Sequence, residues 1–424
     1  MDYTNQKRKY IIFGVILVIT LLIIGIAYYL ISLNNAKGQI REFEKFIQQN
    51  DYKSIADKLS NNEQTLSKVD AKNFVLFVKS KENQEQYNEQ MQKIKSNIDK
   101  NKDHNTEYGS ITDQYGNNLI TIKKNGKNFF FIDKLEFKPK LTSVYVKEFN
   151  NTGFYKYKQG NADKEVIAES NQTTELGKFF IGKYSIETDK TIEDSIHNGT
   201  LTGKIDIDLG NRGNNNKIYA DEDFNQSWFK VKLNHDNLLE KNSYKIIIDD
   251  KDVDYNSKKT YGKYYNPTEL SVYAIGKLEG KEFKTNRINI RRNYDNTSQN
   301  LKLSFKKSQI TEYENKSKKV KEKSKSYIKE YTKELNKAYK KKDYKYISDY
   351  VKNNSQLEKQ LKKQVKSKSK VKFKDVKINS VKRDKNKVYI ELSKTNNNNV
   401  VQTKYTLDYD NVSNEFLVED SQDN

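Results

Sequence analysis

The run YIIFGVILVITLLIIGIAYYLI, Tyr10 to Ile31, holds 22 residues without a charge. As an α-helix it would be about 33 Å long, enough to cross a hydrocarbon core of about 30 Å. A chain with such a run has to place it in a bilayer, so everything else folds beside a membrane. The run is too long for the apolar core of a signal peptide and no A-x-A-like site follows it, so an uncleaved anchor is expected. Lys7, Arg8 and Lys9 precede it, and the nearly neutral SLNNAKGQ follows. By the positive-inside rule residues 1–9 are then a cytoplasmic tail, residues 10–32 a transmembrane helix, and the rest extracellular. The expected localisation is the cell membrane, as a single-pass protein.

Outside the span the chain is poor in core-forming residues. Of its 424 residues 34% are hydrophobic and 32% charged, so several small modules are expected instead of one large globule. Cysteine is absent, so the exported part must fold by packing alone, as many envelope proteins of Gram-positive bacteria do.

One phrase occurs twice. QQNDYKSIADKLSNN (Gln48 to Asn62) returns as KKKDYKYISDYVKNN (Lys340 to Asn354). Each copy opens on an N-cap-like aspartate, Asp51 or Asp343, followed by apolar residues at helical spacing: Tyr52, Ile55 and Leu59, or Tyr344, Ile347 and Val351. An amphipathic segment precedes each, which predicts a helical hairpin near the membrane and another in the C-terminal part.

The remaining patterns predict a multidomain α+β protein. Residues 33–105 read as a helical extracellular domain, ending on the stripe Tyr87, Met91, Ile94 and Ile98. Residues 106–228 read as a β-rich domain, where LITIKKNGKNFFFI predicts a hairpin turning at Asn125-Gly126. Residues 229–310 carry further short strands and read as a β-sandwich-like domain. In 311–424 three helical segments precede four strands, VKFKDVKINSV, KVYIELS, VVQTKYTLDY and EFLVE. Three helices feeding a curved antiparallel sheet is the order of an NTF2-like domain.

Catalytic signatures are not found. His104, His197 and His235 lie in no triad or zinc-site spacing. Asp250, Asp252 and Asp254 alternate like a calcium loop, but Tyr255 and Tyr261 stand where that loop needs Gly and Glu, so the segment reads as a hairpin turn. No phosphate-binding glycine loop and no nucleophile elbow is present. The expectation is a protein that is not an enzyme and needs no cofactor or metal.

Charge is the feature that remains. The formal net charge is +21, and Lys316 to Asn386 holds 26 basic against 8 acidic residues, a net +18. Lys340, Lys341, Lys342, Lys362, Lys363, Lys366, Lys368 and Lys370 are the expected docking residues for a polyanion. Since this region is expected outside the cell, the partner is a teichoic acid or another anionic wall polymer, or an envelope protein, and not nucleic acid. The alternative weighed beside docking is a ligand sensor, with Tyr331, Leu335 and Tyr339 lining a pocket in the NTF2-like domain. A glycan hydrolase would need two buried carboxylates facing each other across a cleft.

The phrases EVIAESNQTTELGKFFIGKYSI and SKKTYGKYYNPTELSVYAIGKLEGKEFKT resemble the teicoplanin-resistance-associated TcaA family of membrane proteins of staphylococci and related Firmicutes. The order of parts is similar over roughly residues 10–424. That resemblance implies one span, a helical extracellular module, β-sandwich modules and a C-terminal NTF2-like domain. It also implies a role in cell-wall organisation and glycopeptide (teicoplanin) susceptibility, with no enzymatic activity. Such relatives carry a cysteine-rich zinc ribbon before the span, where this chain has MDYTNQKRK, so zinc binding is not carried over.

Overall fold

The computed structural model describes residues 3–100, 107–128, 132–194, 196–210, 217–266, 268–367, 371–396 and 399–423. The chain forms two compact units. The first comprises Met1–Trp228, Thr260–Pro267 and Arg292–Ser298; the second comprises Phe229–Lys259, Thr268–Arg291 and Gln299–Asn424.

In the first unit, helix α1 (Tyr3–Asn34) contains the apolar run and exposes it along its whole length. By length and composition α1 is the one helix among the described residues able to cross a membrane. Helices α2 (Ala36–Gln49), α3 (Tyr52–Leu59), α4 (Lys68–Val78) and α5 (Gln84–Lys100) come next. Ser67 and Asp70 form a capping box that starts α4. Ile40, Phe43 and Ile47 of α2 pack with Ile55 and Leu59 of α3 and Phe74 of α4.

This helical core continues without a break into β-structure. Phe43 stacks on Phe137, with ring centroids 4.6 Å apart, and Phe74 meets Phe180 at 5.5 Å. Phe137 belongs to an antiparallel meander of Glu107–Thr112, Asn118–Asn128 and Ile132–Pro139. Beyond it lie a three-stranded sheet, ordered Ile218–Tyr219, Thr142–Lys147, Thr173–Phe179, and a five-stranded one, ordered Asp221–Asp223, Gly199–Asp208, Lys183–Glu193, Thr152–Gln159, Ala162–Ala168.

The expected turn at Asn125-Gly126 is not one. Asn118–Asn128 is a single strand that pairs with Ile132–Pro139, and the register slips between Lys124 and Lys127. Gly126 has φ +82°, so the dipeptide makes a bulge inside the strand, using the freedom that suited it to a turn. His104 lies outside the described residues.

In the second unit, Lys251–Asp254, Lys245–Ile248, Leu270–Leu278 and Lys281–Lys284 form an antiparallel sheet in that order, with Ile288–Ile290 also on Leu270–Leu278. The aspartate-rich segment is a hairpin turn: Asp249 and Asp250 both have positive φ between two of these strands. Phe229 to Asn234 pairs in parallel with Gln299 to Ser304.

Helix α6 (Lys307–Lys341) then runs for 35 residues, taking in the charged stretch after SFKK, and leads into a 3-10 turn (Tyr344–Tyr350) and α7 (Gln356–Ser367). Four antiparallel strands complete the unit: Phe373–Asp384, Lys387–Asn396, Asn399–Tyr409 and Phe416–Asp423. Tyr331, Leu335 and Tyr339 of α6 are 1%, 3% and 4% exposed and pack among Leu361, Val365, Ile390, Tyr405 and Leu407. Tyr331 lies edge-on to Tyr405 at 5.9 Å. The three side chains expected to line a pocket are therefore the filling of the domain.

The repeated phrase has a structural meaning. Asn50 and Lys342 each end a helix in the left-handed conformation, at φ 57° and 55°. The next residue, Asp51 or Asp343, donates its N–H to the carbonyl five residues back, Phe46 or Ala338. Each aspartate side chain then caps the next helical segment, accepting from Ser54 N at 3.1 Å or Lys345 N at 2.9 Å. The copies part there: the first continues as the α-helix α3 and the second as the 3-10 turn.

Candidate functional site

Local chemistry explains why the expected docking lysines are presented to solvent. On α7, Leu357, Leu361 and Val365 recur every four residues and are buried, which turns Lys362, Lys363 and Lys366 outward. Lys340 and Lys341 occupy the last turn of α6, where the negative end of the helix dipole favours cations, and Lys342 is its C-cap. All six are exposed. Lys368 and Lys370 lie outside the described residues.

Tyr344 links the two groups. It comes two residues after Lys342, and the Lys362 ammonium sits over its ring at 5.2 Å. Lys362 also pairs with Glu358 at 2.8 Å, and this pairing, together with the Asn354 N–H, holds the exposed Glu358 carboxyl below its usual range. The result is a cation-rich face whose field in solution extends over roughly one Debye length, about 8 Å at physiological salt.

Other charges are compensated in clusters. In the second unit Lys352 and Lys387 meet Asp408 and Glu419 in four ion pairs between 2.5 and 3.2 Å. Hydrogen bonds donated to Asp408 and Glu419 raise the Lys352 ammonium above its ordinary value.

The first unit contains the most buried charge. The Lys190 Nζ, with no exposure, lies 2.7 Å from Glu148 Oε1 and 2.8 Å from Glu222 Oε2, and donates to Gln226 Oε1 at 2.8 Å. Lys263 pairs with the other oxygen of Glu222. Tyr155 donates its hydroxyl to Glu148 and, at 3.1 Å, to Glu222, and its ring lies 4.8 Å from the Lys190 ammonium. Burial alone would neutralise such groups, but attraction wins. Burial pulls Lys190 down while Glu148 and Glu222 raise it further; burial pushes Glu222 up while Lys190 and Lys263 bring it below the usual carboxylate range. Burial, then the two carboxylates, pushes the Tyr155 hydroxyl well up.

These are the two buried carboxylates that a hydrolase would require, yet both are paired with lysines and sealed from solvent. Sequence reasoning missed the cluster, although a signal existed. In the strand Lys183–Glu193 burial alternates so that Thr188, Lys190 and Ile192 point inward together, placing a lysine in phase with core residues. Among the described residues no group of three or more His, Cys, Asp or Glu is placed to hold a metal ion.

Comparison with known proteins agrees with this layout. Residues 36–139 match the family described as TcaA protein second domain, and residues 320–422 match TcaA protein NTF2-like domain. The first match covers both the helices and the meander that share their core. The Membrane-associated protein TcaA of Staphylococcus aureus strain Mu3 is 28% identical over 314 residues, 74% of this chain and 66% of that protein. The same protein from strain Mu50 gives the same figures, and that from strain Newman is 27% identical over the same length. The matched stretch thus spans 66% of the length of these relatives. No solved structure matches the chain.

Proposed function

Since the chain belongs to the TcaA family, we propose that it is a non-enzymatic, single-pass envelope protein whose C-terminal NTF2-like domain docks onto an anionic polymer of the cell wall. Helix α1 is the anchor, with Lys7, Arg8 and Lys9 on the cytoplasmic side and the two units' folded modules outside. By holding that polymer the protein influences wall organisation and glycopeptide susceptibility.

The observation that carries this reading is the net +18 between Lys316 and Asn386, from which the six described docking lysines all remain at the surface. Apart from Lys362, which pairs with Glu358, these six make no salt bridge among the described residues, unlike the buried Lys190.

Cosedimentation of the full chain, held in zwitterionic nanodiscs, with purified walls tests it. Association is expected with walls that retain their phosphate polymers. It falls as salt shortens the Debye length from about 8 Å to about 3 Å at 1 M. Equal association with stripped walls would refute polymer docking.

A further inference from the structure

A second concentration of cations, separate from the α7 face, lies in the second unit around a groove of about 870 Å³. Three stretches far apart in sequence build it. The hairpin formed by Leu270–Leu278 and Lys281–Lys284 contributes Lys277 and Lys281. The first half of α6 contributes Lys316, Lys319 and Lys323, which share a helix face; the end of the strand Phe373–Asp384 contributes Arg383 and the turn after it Lys385. Glu282 is the single acidic residue in the lining. Lys316 pairs with Glu312 at 2.7 Å, on which Lys281 also acts at longer range, and among the described residues the six cations other than Lys316 form no salt bridge.

The groove is built and not incidental. The guanidinium of Arg383, 8% exposed, lies 5.4 Å from the rings of both Tyr313 and Tyr409, donates Nε to the Lys385 carbonyl at 2.8 Å and donates Nη2 to Asn411 Oδ1 at 3.0 Å. Its Nη1 makes no hydrogen bond among the described residues. Lys281 is steered over Tyr313 at 4.8 Å. The hairpin wall is pinned to α6 and to the turn. Glu279 accepts from Ser317 and, at 2.5 Å, from Lys321, while its carbonyl accepts from Tyr313 at 3.2 Å and from the Lys385 N–H at 2.9 Å. Asn386 and Asn414 receive hydrogen bonds on their side-chain oxygens from Asn411 and Tyr409, and among the described residues their side-chain N–H groups donate none.

From this geometry we infer that the groove is a binding site for a phosphodiester-linked polyol chain. The inference rests on the docking reading and gives it a definite address. One small anion would meet Arg383 and one or two lysines and leave the remaining repulsion unrelieved; a chain with a charge on every repeat meets them all. Arg383 supplies a fixed planar fork for the two free oxygens of one phosphodiester. The lysines act as mobile point charges that accept the variable spacing of its neighbours, and the amides of Asn386 and Asn414 reach hydroxyl oxygens between them. Because the groove is already held open, little ordering is lost on binding.

The test is binding of poly(glycerol phosphate) to the full chain in zwitterionic nanodiscs, with polyglutamate and with mixed phosphatidylcholine and phosphatidylglycerol vesicles as rival ligands. The doubly substituted Lys319→Glu, Lys323→Glu chain is expected to bind poly(glycerol phosphate) at least about tenfold more weakly, with a shallower salt dependence. Arg383→Lys, which keeps the charge and removes the fork, is expected to lose about fivefold. Lys340→Glu, Lys341→Glu, Lys363→Glu on the α6–α7 face is expected to lose less than about threefold.

Loss confined to the variant of the α6–α7 face would overturn the groove and leave polymer docking standing. Equal affinity for polyglutamate would overturn the phosphodiester assignment, and preference for the vesicles would replace the polymer by a lipid surface. A wild-type chain that binds no polymer at all removes both proposals. Should Arg383→Lys fail to fold, the two exposed lysines decide the matter.

Discussion

Two clusters of cations in this protein obey opposite rules. Around Lys190 in the first unit, two lysines face two glutamates, and every one of the four side chains is within 5% of complete burial. Around Arg383 in the second unit, seven cations line a groove with one carboxylate. A charge taken out of water must be paired or it will not stay ionised, so the first cluster is balanced by necessity. In the second cluster Arg383 is buried and is held by hydrogen bonds to the Lys385 carbonyl and Asn411 instead of by a carboxylate, while its lysines are exposed, under no such constraint, and contribute little to folding. Uncompensated charge that packing does not require is therefore where function is to be sought, and compensated charge is where stability is.

The largest effect expected from that contrast is on folding. Lys190→Met leaves Glu148 and Glu222 sharing a buried site without their central cation, at a cost of about 3–5 kcal/mol. Denaturant unfolding should show it in the first unit; a loss below about 1 kcal/mol would mean that the cluster is not the lock it resembles.

Acid provides a milder probe of the same cluster. The folded-state value of Glu222 is held below the ordinary 4.5, so its contribution is complete above pH 4.5 and is lost as the pH falls through the folded value. Lys190 is raised above 10.5, so its contribution is complete below pH 10.5 and is lost as the pH rises through the folded value. The first unit should thus weaken below pH 4.5. Stability that stays level through that acid range would contradict the assignment.

On the other side of the comparison, Lys319→Glu, Lys323→Glu should leave melting within about 2 °C of wild type, because it relieves like-charge repulsion at exposed positions. A much larger fall would make the groove structural and erase the distinction. Smallest of all is Lys362→Ala, which removes an exposed pair with Glu358 and a contact with Tyr344. Melting is expected to be unchanged, and wall association to drop only at low salt.

Much of the architecture was legible from short stretches. The span, the buried face of α7 and the strand alternation of Gly199–Asp208 are all periodicities complete within one element. The echo between Asp51 and Asp343 was legible too, since a left-handed stop and an aspartate cap are set by neighbours along the chain. Asn125-Gly126 shows the limit of such reading. Glycine beside asparagine permits positive φ, but whether the strand turns or bulges there depends on its partner strand. The exposed lysines at the end of α6 and on α7 stood out by counting charge; Arg383 and Lys281 did not, because counting cannot tell which cations share a volume.

The amino-acid sequence by itself thus determined that this chain has an N-terminal helix long and apolar enough to cross a membrane, helical segments before and after its central β-structure, and a strongly basic C-terminal region, since each rests on hydrophobic spacing or composition within a few turns of chain. Only the tertiary structure decided which charges are paired. Glu148, Lys190, Glu222 and Lys263 meet across strands far apart in sequence, and the groove gathers residues from 277 to 414. Electrostatic energy depends on distance through space and on exposure to water, and the order of residues along a chain specifies neither until the chain has folded.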